Sequence, residues 1–335
     1  MDPIVLGPNQ PAERPYRGGV GIARLRGIEQ PSAYSPEDFV ASTVEIFAGE
    51  GVGLTRLEDG RTLREAIQAD PTGYLGAEHV ASYGDDPHLL VKLLDTEERL
   101  FVHFHPGDTF AEEYFPHYSG KAEAWHIVDV RGEPVVYLGF AREVSEATVA
   151  SWFMQQAVDE FLAAMNPVPV RPGDTIFVPA GVAHSLGAGI TMVELQQASD
   201  LSILLEYRGF PDLTLMDSTL GLGPAIVLPE LDRSGWDADR LATLIVRAGS
   251  DRPLPPAAET YFRLDRVRPG SSAADLPAGY AVLVVLAGDG RLTGPASELP
   301  LRAGMTVLVP AGAGPQSVSG DGLELLCCRP PAPSK

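Results

Sequence analysis

Four side chains with metal-ligand chemistry fall between residues 103 and 184. They are His103 and His105 in LFVHFHPGD, Glu123 in SGKAEAWHI, and His184 in IFVPAGVAHSLGAG. Strand side chains alternate with a period of two, so imidazoles at i and i+2 share one strand face. A third imidazole and a carboxylate from neighbouring strands would close a pocket around one divalent ion. Each residue also has a plainer reading. The histidine pair could sit on an exposed strand, Glu123 could pair with Lys121, and His184 could be a turn residue satisfied by backbone. Four candidate ligands in order along the chain favour the metal reading. His126 falls on the face opposite Glu123, and His117 lies in the loop FPHYSG, so neither is expected to ligate.

Those residues need strands to carry them. The chain has 335 residues, 35 of them glycine and 30 proline, which punctuate short β-rich runs. STVEIF, HLLVKLLD, RLFVHFH, EAWHIVDV, PVVYLGF, DTIFVPA, ITMVELQ, SILLEYR, YAVLVVLA and MTVLVPA all read as strands bounded by turn residues, which predicts a mainly β fold of sandwich or barrel type. Two stretches read as helices instead: Ser145 to Met165, with apolar residues recurring at three and four, and a shorter one from Trp236 to Arg247.

An internal repeat refines this. Residues 170–184, VRPGDTIFVPAGVAH, match residues 301–315, LRAGMTVLVPAGAGP, in register. A strand and the same tight turn therefore occur twice, which implies two related β-barrels. His184 corresponds to Pro315, and the second unit holds no histidine. We therefore expect residues 1–249 to form a metal-binding barrel domain with helical segments. Residues 250–335 would form a second barrel without ligands, joined through the proline-rich stretch 250–259.

Composition excludes some function classes. With 45 acidic against 25 basic residues the net charge is −20, which repels phosphate backbones, so no nucleic-acid partner is expected. A small phosphorylated substrate needs only local cations, because distant charge is screened beyond about 10 Å. No apolar run has membrane-spanning length, so no membrane partner is expected, and the start MDPIVLGPNQ lacks a signal-peptide pattern. The only cysteines, Cys327 and Cys328, are adjacent and read as buried strand thiols, which points to the cytoplasm. A monomer or homodimer is expected.

The blocks LLVKLLD (89–95), VHFHPGD (102–108), GKAEAW (120–125), VRPGDTIFVPAGVAH (170–184) and ELQQASD (194–200), with TYFRLDRV and the second PAG turn later, resemble the type I phosphomannose isomerases. That family comprises bicupin zinc enzymes that interconvert mannose 6-phosphate and fructose 6-phosphate. The resemblance implies two cupin (jelly-roll) barrels and a metal held by His103, His105, Glu123 and His184. The family usually has glutamine where His103 stands. Three histidines with one carboxylate also match a wider cupin pattern able to hold Fe, Mn, Co or Ni as well as Zn. The family arginine four residues after the SD of ELQxxSD is replaced here by Leu204, and Arg208 lies four residues further on.

Aldose–ketose isomerisation moves a proton between C1 and C2 through an enediol. A bound divalent cation stabilises the developing oxyanion, and a positioned acid/base shuttles the proton. Glu194, Asp200, Lys121 and a metal-bound water are the candidates for the acid/base work. Lys121 lies two residues before Glu123 and points the same way on a strand. Lys92, an isolated charge in LLVKLLD, should face a polar cavity. Lys92 and Arg208 are the candidates for phosphate or hydroxyl contacts. Two other readings stay open: a different metal-dependent cupin enzyme, such as an oxygenase or epimerase, and a non-catalytic cupin that binds sugar phosphates.

Overall fold

The computed structural model describes residues 1–46, 49, 51–210, 213–250 and 252–333. Among these, twenty strands against ten short α-helices make the fold mainly β, as two cupin-type barrels. No helix among the described residues is long and apolar enough to cross a membrane.

The first barrel packs a six-stranded sheet on a five-stranded one. The larger sheet runs in the order Ile245–Val246, Thr175–Val178, Glu123–Val130, Ile190–Gln196, Leu90–Asp95, Glu37–Val40. The smaller runs Ile203–Leu204, His103–Phe104, His184–Leu186, Val135–Phe140, Met165–Pro169. All pairings within these sheets are antiparallel. Alternation sends Leu94, Trp125 and Met192 of one sheet and Val136, Leu138 and Leu186 of the other into the barrel core.

The second barrel pairs a five-stranded sheet with a four-stranded one. Its strands Ala281–Ala287 and Glu324–Arg329 are apolar on both faces, and the structure shows why. Leu283, Val285, Leu325 and Cys327 fill the second barrel, while Val282, Val284, Leu326 and Cys328 join the core of the first. A sheet buried on both sides reads as an unbroken hydrophobic run. The adjacent cysteines thus face opposite layers, and both are free and buried.

The two units are knitted at their ends. Residues Ile4–Leu6 pair with Thr306–Val309 of the second barrel. Arg26 contacts Asp38 at 2.5 Å and Thr306 Oγ1 at 3.2 Å. In the proline-rich stretch 250–259, Leu254 and Ala258 are buried in the shared core; Asp251 lies outside the described residues.

Three elements differ from expectation. The helix expected over Ser145–Met165 is two helices, Glu146–Gln155 and Val158–Ala164, capped at the start by Ser145. The break is Gln156, at φ +55°, whose side-chain Oε1 accepts from the backbone N–H groups of Tyr207 and Arg208. The stretch Trp236–Arg247 holds only the helix Ala238–Ala242, followed by the strand Ile245–Val246. Residues 42–46 of STVEIF form no strand, and Phe47 lies outside the described residues.

Candidate metal centre and cleft

His103 and His184 face each other in register on neighbouring antiparallel strands. His105 follows just past the end of its strand. Its carbonyl accepts from the backbone N–H of Gly181 at 2.7 Å, which ties the PAGVAH turn to the histidine pair. Gly181 adopts φ +82°, and an added Cβ would press on the Glu230 carbonyl at 3.0 Å, so glycine is needed there. Gly120 is needed for another reason: a Cβ would fall 2.5 Å from the Asp108 nitrogen. Its N–H donates to Asp108 Oδ1 at 2.8 Å, and Asp108 also accepts from Gln197 Nε2, so the loop that delivers Lys121 and Glu123 is fastened at both ends.

The ring centroids of His103, His105 and His184 lie 4.0 to 5.0 Å apart, and their ligand atoms fall within 4.8 Å of one another. Every Nδ1 is tethered to a backbone carbonyl: His103 to Phe101 at 3.0 Å, His105 to Leu201 at 2.9 Å, His184 to Val182 at 2.9 Å. That arrangement places the proton on Nδ1 and leaves the Nε2 lone pairs for a ligand. Nε2 of His105 and of His184 is buried and makes no hydrogen bond. Glu123 stands beside them, Oε1 at 2.9 Å from His105 Nε2 and Oε2 at 3.7 Å from His184 Nε2. Three neutral imidazoles and a carboxylate around orphaned buried nitrogens fit a divalent cation.

Electrostatics agree with that donor set. Burial, reinforced by the neighbouring imidazoles, holds the His103 pKa well below its ordinary value and pushes His184 down to about 3. Burial works against the Glu123 carboxylate, but His105 and Lys121 hold its pKa well below the usual range. The Lys121 ammonium is 3.0 Å from Glu123 Oε1.

His103 and Glu123 line a small cleft of about 50 Å³. Trp125 Nε1 donates toward Glu123 Oε2 at 3.1 Å and Glu194 Oε1 at 3.2 Å. Lys92 then lies 3.4 Å from Glu194, 3.1 Å from Glu37 and 3.9 Å from Asp200. Burial opposes the Lys92 charge, yet these three carboxylates hold its pKa well above the ordinary value. Burial and then the Glu123 charge push the Glu194 pKa up to about 7.

The structure therefore brings Lys92, Lys121, Glu194 and Asp200 together with the four candidate ligands. It does not bring Arg208. The strand Ile203–Leu204 ends before that position, so strand parity no longer aims its side chain, and Arg208 lies exposed with Nη1 3.4 Å from the Gln155 carbonyl. Among the cleft residues missed in the sequence are Arg14, Tyr16, Glu37 and Trp125. Arg14 Nε lies 2.5 Å from Glu37 Oε2. Burial opposes the Glu37 charge, but Arg14 and Lys92 bring its pKa down to about 2. Glu37 could have been sought, because a buried Lys92 requires acidic partners. His126 is turned to the opposite face and bonds Thr175 Oγ1 at 2.9 Å, and His117 is exposed.

No protein-family model matches the chain. The mannose-6-phosphate isomerase ManA of Bacillus subtilis is 27% identical over 242 residues, covering 71% of this chain and 73% of that protein. The mannose-6-phosphate isomerase of Streptococcus mutans is 26% identical over 263 residues, covering 76% and 79%. Among solved structures, the mannose 6-phosphate isomerase of Bacillus subtilis superposes with a TM-score of 0.75 at 21% identity, covering 98% of this chain and 100% of that one.

Proposed function

We propose, from the premise that this chain is a relative of the mannose-6-phosphate isomerases in sequence and fold, that it is a metal-dependent aldose–ketose isomerase interconverting mannose 6-phosphate and fructose 6-phosphate. The observation that carries the reading is one of geometry: three clustered imidazoles beside Glu123, with Nε2 of His105 and of His184 buried and without a hydrogen bond, and a second buried carboxyl group, Glu194, reached through the shared Trp125 N–H.

In this reading His103, His105, Glu123 and His184 hold the metal, zinc first and Fe, Mn, Co or Ni as alternatives. The bound cation would polarise the sugar's carbonyl and neighbouring hydroxyl, lowering the cost of removing the C–H proton. Glu194 takes the proton from one carbon and returns it to the other, a task that suits a group half protonated near neutrality. Lys121 donates a hydrogen bond to a sugar oxygen next to the metal ligands. Lys92 keeps Glu194 and Asp200 in place and offers an ammonium to a substrate hydroxyl. The apolar walls Leu94, Leu100, Phe101 and Leu186 exclude water from the reacting carbons.

The second unit, residues 250–335, acts as a structural support, consistent with its lack of histidine and its shared core. We place the protein in the cytoplasm, in keeping with its two buried free thiols, as a monomer or homodimer. The test is conversion of mannose 6-phosphate by protein of known metal content, before and after chelation and reconstitution.

A further inference from the structure

We infer that Arg14 is the anion-binding residue of the cleft and takes the terminal phosphate of the sugar; this rests on the isomerase reading above. Three observations lead to it.

First, Leu204 is buried and paired in register with His103 and brings no cation to the cleft. Arg208 lies outside, and Arg14 is the one arginine among the described residues lining the cleft. Second, only the Nε of Arg14 is taken up, by Glu37. No described residue holds its two terminal nitrogens, although the side chain is only 17% exposed. That leaves a planar fork suited to two oxygens of one oxyanion. The arm is pre-set, since the Arg14 N–H donates to the Tyr34 carbonyl at 2.9 Å and Gly18 N–H to Ala33 at 2.9 Å.

Third, the spacing fits. Polar contacts run in order across one sheet face from Glu123 through Trp125, Glu194, Lys92 and Glu37 to Arg14. The Glu123 and Glu37 strands are separated by two others, so they stand about 14 Å apart at the usual inter-strand spacing. A hexose whose C1 and C2 oxygens face the histidines extends its far end toward Arg14. Lys92 is matched by Glu37, Glu194 and Asp200, whereas Arg14 meets Glu37 through its Nε alone, so Arg14 is the cation of this group with terminal nitrogens left for an incoming phosphate. A local cation matters in a chain of net charge −20, because distant charge is screened while contact charge is not.

The experiment uses metal-loaded full-length protein and two non-isomerisable probes, glucitol 6-phosphate and glucitol, with binding read by calorimetry. Wild type is expected to bind the phosphorylated probe about 100-fold more tightly, Arg14→Ala to lose that preference to within about 3-fold, and Arg14→Lys to fall between. Arg14→Gln keeps a partner for Glu37 and guards against misfolding; with unchanged metal content it should lose the preference as well. An Arg14→Gln protein that keeps the full preference overturns the assignment. If wild type prefers the phosphorylated probe through Arg14 yet does not isomerise mannose 6-phosphate, the anion site stands and the isomerase reading fails. If wild type isomerises and Arg14→Gln leaves KM unchanged, the anion site fails alone.

Discussion

The Trp125 indole nitrogen lies 3.1 Å from Glu123 Oε2 and 3.2 Å from Glu194 Oε1, so one N–H stands between two buried carboxylates. It joins a candidate metal ligand to the candidate proton carrier. Trp125→Phe keeps the ring's bulk and removes the donor. Metal affinity and kcat should each fall about 10- to 100-fold, the usual size of losing a partner behind a metal ligand. Chelator competition and steady-state kinetics read the two effects separately.

Glu194 is the group placed to move the proton. Glu194→Gln preserves shape and hydrogen bonding to Trp125 but cannot carry a proton in the same way. Its kcat should fall about 10²- to 10⁴-fold while metal content stays at the wild-type level. A kcat near the wild-type value would assign the proton transfer elsewhere.

His105 and Glu123 hold the metal in this account. His105→Ala and Glu123→Gln should each lose stoichiometric metal and turnover together. Removing the metal from wild type should lower the Tm, because a ligand bound only by the folded state stabilises it. Elemental analysis and thermal melts with and without chelator check both.

His126 reports on the join between the barrels. Burial and then Arg266 lower its pKa to about 4 from the ordinary 6.5. Above pH 6.5 it is neutral both folded and unfolded and costs nothing. As the pH falls from 6.5 to 4, the unfolded chain takes up a proton that the folded protein does not, so about 3 kcal/mol of stability is lost. In His126→Gln that share of the loss should vanish. Urea midpoints measured across this window for both proteins give the difference.

Arg208 tests the placement of the missing arginine. Arg208→Ala should leave kcat/KM within about twofold, as expected for an exposed side chain away from bound substrate.

The candidate ligands were legible because their geometry is local. Alternation along a strand sets His103 beside His105 and turns His126 away from Glu123, whatever the rest of the chain does. Lys92 was legible for an energetic reason, since a lone charge in an apolar strand must meet opposite charge or water. The second barrel was visible through its repeated turn. Arg14 and Tyr16 were not, because they reach the cleft by tertiary placement of an irregular N-terminal segment that shows no periodicity. The long helix broke at Gln156 because its side chain holds the backbone of Tyr207 and Arg208, about fifty positions away. The same contact holds Arg208 outside the cleft.

The most direct test is to incubate metal-quantified protein with mannose 6-phosphate in deuterated water. The account predicts fructose 6-phosphate with deuterium at C1, label returning to C2 of the recovered mannose 6-phosphate, and loss of both on chelation. Unlabelled and unconverted sugar from fully metal-loaded protein, or undiminished turnover after complete metal removal, would contradict it.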